Sequence, residues 1–390
     1  MNFTLITLYV LHFLNDGIRT SFIALLPFIA KDMHLSLAVV GVLGASQSFL
    51  GSALSMPAGL LSSRIGGFTI LFTSLLLYSL GAGIIGFAPH IAILIPIFYL
   101  AISGFGMFHS IAYALVARAS DTTNKGRNMG NFTAFGDIGR SILPTIALFI
   151  VVFVGWRWTF EGIAVFGILL FFIFRYFFHY RNPLLLTKHK QKKIGDSKTW
   201  IKEAVGLLHQ RDMLLITIAG VIDAFAGSSI YIFLPFFVLA KGIAPVMLGV
   251  FTGAYFVGSL AGKTILGRGV DRFGNTRIFV WTELLMSIFL LLLTAVTNSF
   301  ILIIISFFLG LFTRGTTPVV GTLYSQIVHE KHYEKVFAIS LTLLELSAAL
   351  SAIILGVIAD KFGLPIIFYL TSFLALLASL PIVAYARLKK

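Results

Sequence analysis

"HFLNDGIRTSF", residues 12–22, sets His12, Asn15, Asp16 and Arg19 in the middle of an apolar run that extends from Phe3 to Ala30. A run of that length crosses a hydrocarbon core of roughly 30 Å as a helix. An ionisable side chain near mid-bilayer costs roughly 2.5–3.5 kcal/mol on insertion scales, so residues of this kind face a cavity or a partner. Whether this stretch belongs to a membrane protein is decided by the rest of the chain.

The 390 residues are 58% hydrophobic and only 11% charged, with a mean hydropathy of +0.97. Soluble domains run at roughly 45–50% apolar and 25% charged. No soluble core of this size hides so much apolar surface, so lipid is the solvent. Apolar runs between polar breaks predict twelve transmembrane helices, near residues 4–30, 37–61, 69–88, 92–117, 129–154, 161–180, 213–239, 246–267, 277–296, 300–327, 335–359 and 365–386. The first is expected to stay in the membrane: "MNFT" has no basic lead-in, and the run is too long for a cleaved signal.

Lys and Arg number 29 against 15 Asp and Glu, a formal charge of +14. Position explains the excess. Of the 29, 21 fall on one side of the predicted spans, nine of them from Arg175 to Arg211, whereas only Lys31, Arg157, Lys241 and Lys361 fall on the other. Arg19, Arg140, Lys263 and Arg314 lie inside spans. The positive-inside rule therefore predicts a multi-pass protein of the inner (plasma) membrane with both termini and the central loop in the cytoplasm. No nucleic-acid partner is implied. Cysteine is absent, which excludes disulfides and thiolate metal sites; neither a metal nor a cofactor is expected.

The polar stretch 181–212, with "KHKQKK" at 188–193, reads as a cytoplasmic linker between six-helix halves at 1–180 and 213–390. A constant shift of 208 residues pairs Asn15 with Asp223, Leu26-Pro27-Phe28 with Leu234-Pro235-Phe236, and Gly41-Val42 with Gly249-Val250. It also pairs Gly59, Arg64 and Gly66 with Gly267, Arg272 and Gly274. One ungapped shift across two helices and a loop marks a parallel repeat, the plan of one large transporter class.

"GRGVDRFGNTR", with Gly267, Asp271, Arg272, Gly274 and Arg277, is similar to the G-x-x-x-D-R-x-G-x-x-R motif of the major facilitator superfamily. "GLLSSRIGG", at the matching place in the first half, keeps Gly59, Arg64 and Gly66 but has Ser63 where the family has Asp. "GWRWTF" (155–160) and "GVIADKFG" (356–363) also resemble facilitator signatures. "HFLND" running into "ALLPFIAKDMHLS", with "GFGMFHSIAYALVA" and "KGRNMGNF", resembles the fosmidomycin-resistance-like and drug-efflux branches. The resemblance implies the all-α facilitator fold, two six-helix halves about a pseudo-two-fold axis. It also implies a conformational latch formed by Gly267, Asp271, Arg272, Gly274, Arg277 and Arg64, weakened in the first half by Ser63.

In that fold helices 1, 4, 7 and 10 line a central cavity, and each has a mid-depth ionisable group: Asp16 and Arg19, His109, Asp223, Arg314. His12, Asp16 and Arg19 share a helix face by i, i+4, i+7 spacing, and Asp16 can pair with Arg19 at i+3. Asp16 and Asp223 are the proton-coupling candidates, since cavity burial and a nearby cation move a carboxylate's affinity for protons in opposite directions. Arg19, Arg314, His109 and Asn15 are the candidate substrate-binding residues, the guanidinium being a planar fork for an anion. Asp137 and Arg140 read as an internal i+3 pair, Glu283 and Glu345 as partners of loop arginines, and His12 as the weakest member of the set. Trp156 and Trp158 suit an interfacial aromatic belt with Arg157 reaching headgroups.

"GAGIIG" (81–86) and "GSLAGKT" (258–264) imitate nucleotide-binding loops, but both lie within predicted spans, and the second has three residues between its glycines where a P-loop has four. No catalytic motif is found, so no enzyme is expected. The expectation is a monomeric, proton-coupled secondary transporter of a small anionic or zwitterionic solute, leaning to efflux. The alternatives are an importer of an organic acid or carboxylate siderophore and, from another class, a non-transporting receptor or assembly partner.

Overall fold

The computed structural model describes residues 3–121, 124–181, 206, 208–327, 329 and 333–388, and no strand occurs among them. In chain order the helices of the first half are α1 (Phe3–Ala24), α2 (Leu26–Asp32), α3 (Leu37–Ile65), α4 (Gly67–Gly86), α5 (Ile91–Gly106), α6 (Phe108–Ala119) and α7 (Lys125–Arg181). The second half contributes α8 (Arg211–Ser228), α9 (Ile230–Ala240), α10 (Leu248–Phe273) and α11 (Asn275–Ala295). It ends with α12 (Ser299–Gly315), α13 (Thr317–Ile327), α14 (Tyr333–Phe362) and α15 (Pro365–Leu388). The expected linker falls largely outside the described residues.

Ten stretches are long and apolar enough to cross a membrane, and Ser299–Thr313 is a shorter apolar helix. One of the ten, Arg127–Phe177, contains two of the expected spans, parted at Gly155, where φ is +79°. A straight helix of the 57 residues in α7 would be about 86 Å long, far more than a bilayer. Instead the chain reverses. Along the first arm Asn128, Phe132 and Gly139 meet Tyr9, His12 and Phe13 of α1 in ascending order. Along the second, Trp156 meets Asp32 and Phe160 meets Phe22, so the order descends. With this reversal counted, the twelve expected spans are all present.

The predicted spans 1, 4, 7 and 10 are each broken into two helices, at Leu25, Met107, Ser229 and Thr316. Pro27 and Pro235, just beyond two of the breaks, have no N–H to give the preceding turn. Backbone geometry also carries the repeat. The described residues with positive φ are His34, Gly66, Gly155, Gly242, Gly274 and Gly363, which form three pairs each separated by 208 residues.

The helices gather into two compact units, Met1–Leu35 with Ser46–Gln191 and Ala244–Gly249, and Ser36–Ala45 with Lys192–Ile243 and Val250–Lys390. In the first, α1 lies backbone to backbone on α7. A Cβ at Gly139 would collide with the Phe13 carbonyl, and one at Gly17 would come to 2.7 Å from Gly139 O. Small residues at such crossings let membrane helices gain van der Waals contact where no hydrophobic force between them exists. In the second unit Gly258 and Gly262 of α10 abut the carbonyls of Phe307 and Leu311 on α12. Thus "GSLAGKT" is a helix-packing surface, and in "GAGIIG" Gly81 lies against Ala101 and Gly86 against Arg157 O.

Helix ends are capped by side chains. Asp360 accepts from the N–H groups of Leu37 and Ala38 at 2.7 and 2.9 Å, within the second unit, where an acid complements a helix N-terminus. Asn298 Oδ1 accepts from Phe300 N and Ile301 N. Lys241 Nζ donates to the carbonyls of Thr294 and Val296 at the end of α11, and desolvation draws its ammonium below the usual lysine range.

Candidate functional site

The polar residues of α1 converge on one carboxylate. Asp16 is 0% exposed, and its two oxygens are fully engaged. Oδ1 accepts from Asn15 Nδ2 at 3.0 Å and lies 3.0 Å from His109 Nε2 of α6. Oδ2 is held by Arg140 Nη2 of α7 and lies 3.2 Å from His12 Nε2. Arg140 bridges two acids, because its Nη1 donates to Asp137 Oδ1 at 3.0 Å. Three helices therefore meet at Asp16.

His12 is fixed by its surroundings. Its Nδ1 lies 2.7 Å from the carbonyl of Phe132, and its ring stacks on the Phe132 ring at 4.0 Å between centroids. A carbonyl only accepts, so Nδ1 carries a proton and Nε2 is the nitrogen turned to Asp16. The contact is attractive only when a second proton is present, on the ring or on the carboxylate. His109 completes the edge, with its ring T-shaped against His12 at 5.2 Å and its side chain 31% exposed.

The ligand atoms of His12, Asp16 and His109 lie within 4.8 Å of one another, a donor set that would suit a divalent cation. Arg140 already brings its positive charge onto Asp16 Oδ2, which offsets the negative charge that a cation would need there.

The structure redistributes several expected roles. Asp16 has close partners beyond its own helix: its ion-pair contacts include His12, His109 and Arg140. Arg19 is half-buried on the same helix, close enough to influence His109 electrostatically. Asn15 is fully buried and holds Asp16, and Asp137 and Arg140 pair as expected while also tying α7 to α1. His12, the weakest candidate by sequence, is central.

Asp223 on α8 and Glu283 on α11 are both buried, and neither oxygen of Glu283 has a hydrogen-bond partner among the described residues, so Glu283 is not the partner of a described loop arginine. Glu345 is exposed, and the side chain of Arg314 falls outside the described residues. Of the expected latch, Asp271, Arg272, Gly274, Arg277 and Arg64 are exposed. Gly274, at φ +85°, opens α11, and Gly267 has open space where a Cβ would be.

Trp158 is 70% exposed, as an interfacial anchor requires, but Trp156 is buried and donates from Nε1 to Asp32. Arg157 donates to the carbonyls of Gly86 and Ala88, capping the end of α4, pairs with Asp32 at 3.3 Å and lies over the Trp156 ring at 4.2 Å. Sequence reading missed the link between Arg140 and Asp16 and the burial of Glu283. The two glycines within "GDIGR", Gly136 and Gly139, are the available signal for the first.

Comparison with known proteins agrees with this architecture. Two solved structures superpose over nearly the whole chain. A bacterial homologue of the human lysosomal transporter Spinster, in an inward-facing, unoccupied conformation, gives a TM-score of 0.78 at 13% identity, covering 99% of this chain and 96% of the other. The nucleoside transporter NupG gives 0.80 at 11% identity, covering 98% and 99%. Among curated sequences, the niacin transporter NiaP of Acinetobacter baylyi is 28% identical over 158 residues, 40% of this chain and 36% of that protein. The probable sulfoacetate transporter SauU of Cupriavidus necator is 24% identical over 268 residues, 65% of this chain and 61% of that protein. The matched stretches thus span less than two thirds of these relatives. The family model for the Major Facilitator Superfamily matches residues 8–242 and again 216–390. By sequence and by fold the chain belongs to the Major Facilitator Superfamily.

Proposed function

We propose that this protein is a secondary transporter that moves a small organic anion together with a proton by alternating access, as a monomer in the inner (plasma) membrane with both termini cytoplasmic. The observation that carries the reading is the closed circuit at Asp16, in which a buried carboxylate holds Arg140 and faces two imidazoles. While Asp16 is ionised, the guanidinium is spent on it. A proton passed to Asp16 through His109 or His12 neutralises the carboxylate and frees one face of Arg140 for an anion, so proton and anion bind synergistically. Arg19 and Asn15 on the same helix support this site. One proton moving with one monovalent anion carries no net charge, so the driving force is the pH difference, about 1.4 kcal/mol per pH unit, enough for accumulation without nucleotide hydrolysis. Niacin and sulfoacetate, named for two relatives, are small organic acids and favour a carboxylate solute.

Efflux, the direction that the motif resemblance favours, asks for competition instead. A zwitterionic solute whose ammonium displaces Arg140 from Asp16 would leave as a proton enters. The two readings separate in proteoliposomes carrying an imposed pH gradient, with labelled nicotinate and sulfoacetate as probes. Co-transport predicts accumulation on the alkaline side. The Asp16→Asn variant should lose gradient-driven accumulation while keeping exchange at equal pH. Accumulation by this variant at the wild-type level would overturn the proton assignment.

A further inference from the structure

Among the described residues the His12 imidazole of α1 meets the rings of Phe108, His109 and Tyr113 on α6 and of Phe132 on α7, at 5.8, 5.2, 6.5 and 4.0 Å between centroids. Phe108 and Phe132 are buried, whereas Tyr113 is 38% exposed and stands T-shaped against Phe132 at 5.1 Å. His109, one turn earlier on the same face of α6, is partly open, and the Arg140 side chain of α7 is 17% exposed. A phenol ring, an imidazole and a guanidinium therefore border an opening beside Asp16. Lipid does not solvate a guanidinium in the middle of a span, so the opening holds water or a polar solute.

The fold does not ask for these rings. At the 208-residue shift His12 and Tyr113 correspond to Gly220 and Gly321. A Cβ at Gly321 would meet only Phe337, at 3.8 Å, and one at Gly220 would meet side chains no nearer than 3.5 Å. Close packing therefore forces neither glycine, and the second half builds the matching place without either ring. Tyr113 is an open aromatic face that the repeat shows to be dispensable for folding, next to the cation that takes the anion.

We infer that Tyr113 is a specificity-determining residue of this site and that its ring selects a planar aromatic carboxylate. The inference rests on the anion site proposed at Arg140 and names the chemistry of its occupant. His109 and Tyr113 are one turn apart, about 6 Å along α6, which is the reach of a six-membered ring from the carboxylate it bears. With the carboxylate on the open side of Arg140, the ring of the acid lies against the Tyr113 ring, edge-to-face or offset-stacked. That arrangement is worth more than the burial of an equally large saturated ring. Of the two probes named above, nicotinate has such a ring and sulfoacetate does not.

The test is calorimetric binding of benzoate and of cyclohexanecarboxylate to the purified protein in lipid nanodiscs, at one pH and without a gradient. The two acids match in charge and nearly in size, and only the first is aromatic. The wild type should bind benzoate roughly 3–10-fold more tightly. Tyr113→Phe, which keeps a ring, should preserve that ratio. Tyr113→Leu should bring it to within about twofold of unity, chiefly by weakening benzoate. Cyclohexanecarboxylate, bound as well by Tyr113→Leu as by the wild type, reports that the site is otherwise intact. Equal affinities in the wild type, or a benzoate preference that survives in Tyr113→Leu, would overturn the proposal. If Tyr113→Leu fails to fold, Tyr113→Val replaces it under the same criterion. Failure of the underlying reading looks different. Binding of neither acid, or undiminished binding of both by Arg140→Ala, rejects the anion site and the proposal with it, whereas discrimination without pH-driven flux keeps the proposal and rejects proton coupling.

Discussion

Arg140 reaches Asp16 across two helices because its neighbour Gly139 has no side chain to hold them apart. Removing the guanidinium leaves a buried carboxylate supported only by imidazoles and an amide. Breaking a buried ion pair costs about 3–5 kcal/mol, and the two histidines should keep Arg140→Ala at the lower end. Arg140→Lys keeps the charge but cannot bridge Asp16 and Asp137 with a planar fork. Both variants should raise the KM for an anionic solute. Loss of one charged hydrogen bond, about 1.5–3 kcal/mol, corresponds to roughly 10–100-fold, measurable as initial uptake rates against concentration. This residue-scale contact is also where sequence reasoning reached its limit. Spacing along α1 placed Arg19 beside Asp16 correctly, yet i+3 spacing only permits a pair. The partner chosen lies 124 residues away, and nothing local in the sequence encodes that distance. His12 was undervalued for the same reason: the carbonyl that fixes it belongs to Phe132, on another helix.

At the scale of elements, the contact between α1 and α7 positions the whole cluster. A methyl group at Gly139 meets the carbonyl of Phe13, which is backbone and cannot rotate away. Gly139→Ala should therefore cost about 1–3 kcal/mol by overpacking and lower the melting temperature in detergent. Gly130, on the same helix with nothing within 4 Å of a built Cβ, is the control: Gly130→Ala should be neutral or stabilising by about 0.5–1 kcal/mol. The helices themselves were legible, because twenty-residue apolar runs have few other uses. Their interruptions at Leu25, Met107, Ser229 and Thr316 were not, since a break of one residue inside an apolar run leaves the hydropathy pattern intact. Arg157 shows the converse. Its place beside an interfacial tryptophan suggests headgroups, and spacing alone does not reveal that the carbonyls of Gly86 and Ala88, some 70 residues back in the chain, also take its guanidinium.

At the scale of the molecule, the distribution of Lys and Arg predicts which loops face the cytoplasm, and the absence of cysteine makes that assignment simple to check. In cells treated with a membrane-impermeant maleimide, His90→Cys should be labelled and Arg64→Cys should be protected until the membrane is opened. Equal labelling of both would reject the topology. The repeat was legible because several loop and helix residues survive in both halves, whereas Glu283 was misassigned because its counterpart Leu75 gave no hint of an acid. Half-to-half comparison finds what the two copies kept and is silent about what one copy acquired.

The three pairs of positive-φ residues, 208 apart, have a consequence for ancestry. A duplicated gene is free to change most side chains, but a turn that enters the left-handed region stays there, because the helices it joins have nowhere else to go. Gly66 with Gly274 and Gly155 with Gly363 kept the glycine, while the partner of Gly242 is now His34, at φ +52°. Among the described residues that pair is the one in which the two copies differ in turn chemistry. Left-handed backbone costs a side-chain-bearing residue about 1–2 kcal/mol, partly offset by the extra freedom glycine has when unfolded. His34→Gly should therefore raise the melting temperature slightly, giving the first copy of the repeat the residue that the second has at the same turn.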